Sequence, residues 1–115
     1  PPVQLLGRLA SEDIEFHGNT IKKGSTTTLS LGAANRDPLV FDLPDSLNVL
    51  RQQNRHRAFG SGIHFCLGDW LGKLQGKMAL RKLVDKYPNL ALTGNALQWN
   101  KNLAIRSLSS LPVTA

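Results

Sequence analysis

Between residues 13 and 31, in "DIEFHGNTIKKGSTTTLSL", short apolar and β-branched runs alternate with turn-forming residues. "IEF", "TI" and "TTTL" read as strands, parted by turns at His17-Gly18-Asn19 and Lys22-Lys23-Gly24. The threonines favour extended backbone. From Gly32 to Cys66 the pattern dissolves into prolines and Asn/Asp pairs with no sustained period. Structureless stretches of this length signal function or a missing partner. Residues 67–87 then read as a helix of about 31 Å. Leu67, Leu71, Leu74 and Met78 form one apolar stripe, continued less regularly by Leu80, Leu83, Val84 and Tyr87. Pro88 ends it. "LALTGNALQW" and "LAIRSL" read as a hairpin flanking "NKN", and "LPV" closes the chain. Short strands, a long irregular stretch and one long helix make the expected class α+β.

Gly68, Gly72 and Gly76 recur every fourth residue in the expected helix. Interior glycine costs about 1 kcal/mol against alanine. The spacing keeps all three near one side, giving a smooth flank where a flat body or another backbone can lie close.

The length of 115 residues suits one domain. No apolar run approaches the roughly 20 residues that cross a bilayer, and the start lacks a secretory pattern. A single cysteine fits a reducing setting, so a cytoplasmic location is expected. The net charge of +6 is either a solvated basic surface or a docking surface for something acidic. Arg51, Arg55, Arg57, Lys73, Lys77, Arg81, Lys82 and Lys86 gather around the cysteine and the segment after it. Nucleic acid would ask for interleaved aromatic residues or a known motif, and neither is present. An acidic protein is the better partner.

"FGSGIHFCLGDWLG", residues 59–72, carries that cysteine. "GDWLGK" is one residue too short between its glycines for a phosphate-cradling loop, and Leu74 stands where Ser or Thr would follow. Phe65 occupies the third-glycine position of a dinucleotide fingerprint. Zinc would need more soft ligands than Cys66 and three scattered histidines. A buried cysteine can also be plain apolar filler. A cysteine hydrolase fits in part, with His17, His56 or His64 as base. His64, two residues away in an expected extended segment, would project to the thiol's side. Haem iron held by thiolate also fits. It wants a lone cysteine where helix N–H groups favour negative charge on sulfur, glycines that let the loop pass beneath a macrocycle, and cations for its carboxylates.

"FGSGIHFCLG" resembles the cysteine-ligand loop of cytochrome P450, the haem-thiolate monooxygenases. "LASEDIEFHGNTIKKGSTTTLSLGAANRDPLVF", "LVDKYPNLALTG" and "LPV" resemble further parts of that family, in order, in the style of its soluble bacterial members. The resemblance implies the C-terminal part of a single P450 domain. Residues 1–31 are then a strand region, and 32–66 a short helix, meander and ligand loop. Residues 67–87 are the long helix and 88–115 a C-terminal hairpin.

By position, Cys66 would be the axial ligand of haem b (iron protoporphyrin IX). Phe59 would pack beside the sulfur, while Gly60 and Gly68 let backbone approach. Arg8 and His64 match propionate partners. Val3, Gln4 and Leu5 fall on a strand lining the substrate pocket, and Leu103 at a hairpin tip entering it. Arg57 and Lys73 fall where an acidic ferredoxin would dock. The implied reaction inserts one oxygen atom from O2 into a small hydrophobic organic substrate.

The match covers only about the last third of a family member. The long central helix with its acid–alcohol pair and the Glu-x-x-Arg helix are not among these residues, so no catalytic residue beyond the ligand is expected and the chain alone should not turn over. Ser46 and Leu47 replace the meander's arginine and aromatic residue, with Arg51 a candidate substitute, and Ser61 departs near the propionates. A truncated or degenerate non-catalytic haem-binding relative is the runner-up, and the cysteine hydrolase the third reading.

Overall fold

The computed structural model describes residues 1–94 and 96–115. They form two compact units, Pro1–Ala58 with Asn102–Arg106, and Phe59–Lys101 with Ser107–Ala115.

In the first unit, β1 (Leu5–Leu9) pairs antiparallel with β4 (Thr26–Ser30), placing Arg8 opposite Thr27. Between them β2 (Ile14–Phe16) and β3 (Asn19–Ile21) make a hairpin. Its two-residue loop, His17-Gly18, has positive φ at both positions, the turn that matches strand twist. Asp13 closes the open end, accepting from Lys22 Nζ at 2.7 Å and from the Lys23 N–H at 2.8 Å. These strands lie where the alternation puts them. β1 itself, "LLGRL", lacks that alternation and is identifiable only through its partner strand.

β4 runs into α1 (Leu31–Ala34), whose first turn is capped by Ser30 Oγ accepting the Ala33 N–H at 3.2 Å. The Asn-Arg-Asp-Pro stretch then organises the meander. Asn35 donates its side-chain amide to Leu31 O at 2.8 Å and accepts the Arg57 N–H at 2.7 Å, tying the far end of the meander to α1. Arg36 pairs with Asp45. Asp37 accepts the Leu39 N–H on its side chain and those of Val40 and Phe41 on its carbonyl. Arg51 donates to Asp42 O at 2.7 Å and Leu43 O at 3.4 Å, with its guanidinium 5.9 Å from the Phe41 ring centre. The irregular stretch is a chain of side-chain-to-backbone bonds, which no periodicity encodes.

Residues 102–106 belong to this unit rather than to the C-terminal hairpin. Gln4 N–H donates to Ala104 O and Arg106 N–H to Pro2 O, both at 2.7 Å, and Val3 bridges Ile105. The reading of 103–108 as one hairpin arm is corrected accordingly. Leu108–Ser110 (β7) pairs with β6 (Gln98–Trp99), extended by Asn100 N–H donating to Ser107 O at 2.9 Å, while Ala104 O and Arg106 N–H bond the N-terminal segment and the Ala104 and Ile105 N–H groups bond Asn102 Oδ1. The other arm is likewise divided. β5 (Ala91–Leu92) pairs with β8 (Val113–Thr114), and Asn95, inside the stretch read as strand, lies outside the described residues.

The second unit is built on α2, Asp69–Lys86, two residues shorter at its start and one at its end than the period suggests. Gly68, at φ −95° and ψ 17°, is its N-cap, and Tyr87, at ψ 72°, its C-cap. Tyr87 precedes a proline, which disfavours helical backbone there. Eighteen residues span about 27 Å.

Among the described residues the buried apolar ones are Ala10, Leu31 and Phe41, all in the first unit. Every residue of α2 is at least partly exposed, Trp70 and Leu80 by 65% and 64%. The chain leaves 9892 Å² accessible. No helix among the described residues is long and apolar enough to cross a membrane.

Candidate functional site

The loop from Phe59 to Cys66 is closed at its neck: Cys66 N–H donates to Phe59 O at 2.8 Å. Two glycines bend the chain inside it. Gly60 sits at φ +77°, where an added Cβ would stand 3.3 Å from His64 O, and Gly62 at φ +65° with open space around it. Gly62–His64 is a 3₁₀ turn, held by Phe65 N–H donating to Gly62 O at 3.0 Å. The extended segment expected around His64 is therefore absent, since Gly62's left-handed backbone starts a turn. The argument from alternation for its side goes with it.

Cys66 lies two residues before the N-cap of α2 and is exposed. Its carbonyl accepts the Asp69 N–H at 3.4 Å, a turn that leads the chain into the helix. Helix starts present N–H groups without intrahelical acceptors, a setting that favours an anion. Asp69 in the first turn accepts from Lys73 Nζ at 2.8 Å and from the Trp70 N–H, and the lysine holds its carboxyl below the usual carboxylate range.

Phe59 is half-buried. Its ring lies against the bare Cα of Gly72, where a Cβ would meet Cε1 at 3.6 Å, and Lys73 Nζ stands 5.3 Å from the ring centre. The fourfold glycine spacing thus has a local reason at Gly72. Gly68 and Gly76 face open space.

The second unit brings together Phe59, Gly60, His64, Cys66 and Gly68. The first holds Val3, Gln4, Leu5, Arg8 and Leu103. Arg8 is half-buried and donates to Gly7 O at 2.8 Å. Leu103 is 89% exposed, next to the residue that pairs with Gln4. Sequence reasoning missed Asn35 and Gly32. A Cβ on Gly32 would collide with the Gln4 side-chain oxygen, a contact between segments 28 residues apart that composition does not encode.

Among the described residues no three His, Cys, Asp or Glu side chains gather to hold a metal ion. A lone exposed thiol cannot cage a bare ion. It suffices for an iron whose other ligands come with a macrocycle, and Cys66 is exposed on a loop that its glycines bend. The residues present fit a haem-thiolate site.

The sequence pattern of the family Cytochrome P450 matches residues 1–102. The chain belongs to the cytochrome P450 family. PksS, a polyketide-biosynthesis cytochrome P450 of Bacillus subtilis strain 168, is 44% identical over 116 residues, spanning 99% of this chain and 29% of its own length. The 6-deoxyerythronolide B hydroxylase of Saccharopolyspora erythraea is 41% identical over 114 residues, with 97% and 28% covered. The crystal structure of P450BioI in complex with an acyl carrier protein ligated to hexadec-9Z-enoic acid superposes with a TM-score of 0.93 at 42% identity, covering 98% of this chain and 29% of that one. The chain therefore spans under a third of the length of the relatives it matches. Cytochrome P450 members bind haem, iron protoporphyrin IX.

Proposed function

We propose that this chain is the haem-ligating part of a cytochrome P450 monooxygenase, acting in the cytoplasm on a small hydrophobic organic substrate and O2. Both units would then belong to one cytochrome P450 domain. The observation that carries the proposal is the exposed Cys66 on a loop bent by Gly60 and Gly62, at the entry to α2. Cys66 would be the axial ligand, with Phe59, Gly60 and Gly68 shaping the ground around the sulfur. His64 and Arg8 would each supply a cation or donor to a haem propionate. Val3, Gln4, Leu5 and Leu103 would face substrate. When bound, haem supplies the redox chemistry that activates dioxygen, and a thiolate ligand pushes electron density toward iron.

The chain's own contribution is to hold the sulfur. The Cys66 N–H to Phe59 O bond fixes the loop's neck, and the Gly60 turn keeps side chains off its inner surface. Arg57 and Lys73 are the proposed contacts for an acidic ferredoxin-type donor. P450BioI is seen in complex with an acyl carrier protein, which raises a carrier protein as a further candidate partner for this chain.

A second reading, a non-catalytic haem-binding relative, is favoured by Ser46 and Leu47 where the family's meander carries an arginine and an aromatic residue. The decisive experiment is an absorption spectrum of the chain loaded with haemin, reduced and exposed to carbon monoxide. Thiolate ligation gives a strongly red-shifted Soret band, absent in Cys66→Ser. The same spectrum in both would remove the assignment. Product formation by the complete protein with a ferredoxin system separates the two haem readings.

A further inference from the structure

We infer that Lys73 is a positioning residue for the Cys66 loop: fixed by Asp69, its ammonium caps the Phe59 ring and holds that ring on α2. The consequence for iron rests on the haem reading above, whereas the ring contact stands on the loop geometry alone.

Helical spacing puts Asp69 and Lys73 in one row, a turn apart. Asp69 Oδ2 takes Lys73 Nζ at 2.8 Å and is the more sheltered partner, its side chain 23% exposed against 57% for the lysine. The carboxylate is held in its charged form by that bond and by the Trp70 N–H, so it anchors the ammonium at neutral pH. From this anchor the ammonium reaches 5.3 Å from the Phe59 ring centre, inside the range of about 6 Å at which a ring's negative face attracts a cation. The neighbouring residue, Gly72, supplies the flat ground beneath the ring. Phe59 is therefore met by two successive residues of α2, Gly72 and Lys73.

Phe59 is also the residue whose carbonyl receives the Cys66 N–H. Asp69, Lys73 and Phe59 thus form a relay that pins the neck of the thiol's loop to the first turn of the helix. Lys77, one turn further on, carries the same charge, has no ring contact among the described residues and serves as the control.

Two measurements test this. In proton spectra of the 115-residue chain, the Lys73 ε-methylene should lie upfield through the ring current of Phe59, return to an ordinary position in Phe59→Leu, and move partway in Asp69→Asn. An ordinary position in the wild-type chain, whatever its cause, overturns the inference. In the haemin-loaded chain, Lys73→Gln should lower the iron reduction potential, Lys73→Arg should restore it, and Lys77→Gln should shift it less. The Lys73→Gln shift should shrink at least twofold when Phe59 is already leucine. An equal shift in both backgrounds would mean that Lys73 acts as a bare charge, and the positioning role fails. A chain that takes no haem through Cys66 removes the haem reading, and the methylene displacement then decides the positioning role by itself.

Discussion

At the level of single residues, Gly60 and Asp13 show how local chemistry fixes the chain. Gly60 holds a left-handed backbone, which costs an L-residue roughly 1–2 kcal/mol, and its missing Cβ leaves room for the His64 carbonyl. Gly60→Ala should weaken the loop by at least that amount, and more than Gly62→Ala, whose surroundings are open. Haem retention against an excess acceptor measures the difference, and equal losses would contradict it. Asp13 makes a pH prediction. Its carboxyl lies below the ordinary value of 3.8 because Lys22 and the Lys23 N–H bind the charged form. A carboxylate depressed on folding stabilises above its unfolded value, and that contribution fades as pH falls through the folded one. The β2–β3 hairpin should thus keep constant protection between pH 5 and 8 and lose it in acid below about 4. Asp13→Asn should abolish that acid step in hydrogen exchange of the hairpin amides. The glycines of the cysteine loop were legible at this scale, but not their left-handed backbone at Gly60 and Gly62, which makes a 3₁₀ turn where an extended segment was expected. Asn35 was not, since the bond it accepts from Arg57 joins residues 22 apart in sequence.

The elements were legible where a period exists and obscure where side chains replace it. β2, β3 and β4 follow their β-branched runs, while the meander depends on Asn35, Asp37 and Arg51 reaching backbone groups. Arg51 is the strongest of these, because Leu43 sits at φ +46° and its carbonyl is one of the two that Arg51 binds. Hydrogen bonds to a charged group contribute about 1.5–3 kcal/mol, and less at a partly exposed site. Arg51→Met should cost about 1 kcal/mol and expose residues 42–51 to proteolysis. Unchanged cleavage would show that another contact holds the meander. α2 differs from its reading in a second way. Leu71, Leu74 and Met78 do share a side, but Leu67 lies before the N-cap, and at 100° per residue Leu80, Leu83 and Val84 fall on the opposite side. The helix thus carries apolar residues on two faces, with charged residues between them. Gly76 lies near the second face, with nothing within 4 Å of an added Cβ. Gly76→Ala should raise helicity of this chain by about 1 kcal/mol. In a complete cytochrome P450 the same change should be neutral or harmful, because the flank would then be covered. Circular dichroism of the chain and thermal unfolding of the complete protein test the two signs.

For the molecule as a whole, area decides. The second unit contains none of the three buried apolar residues, yet carries Trp70, Leu71, Leu74, Met78, Leu80, Leu83 and Val84 each more than 40% exposed. Ordering a residue costs about 1–2 kcal/mol in backbone freedom, and native domains hold a margin of only about 5–15 kcal/mol. Local contacts such as Phe59 on Gly72 need little chain closure and should persist. Cooperative packing across the 115 residues has too little buried apolar surface behind it. The expected outcome is a chain with helical signal that binds a hydrophobic dye, self-associates as concentration rises and unfolds without a sharp transition. Supplying the remaining two-thirds of a cytochrome P450 fold, in the same chain or as a separate one, should cover both faces of α2 and restore a cooperative transition. Sedimentation, dye binding and calorimetry read each step. A dye-silent monomer with sharp unfolding at high concentration would show that this chain is stable on its own terms.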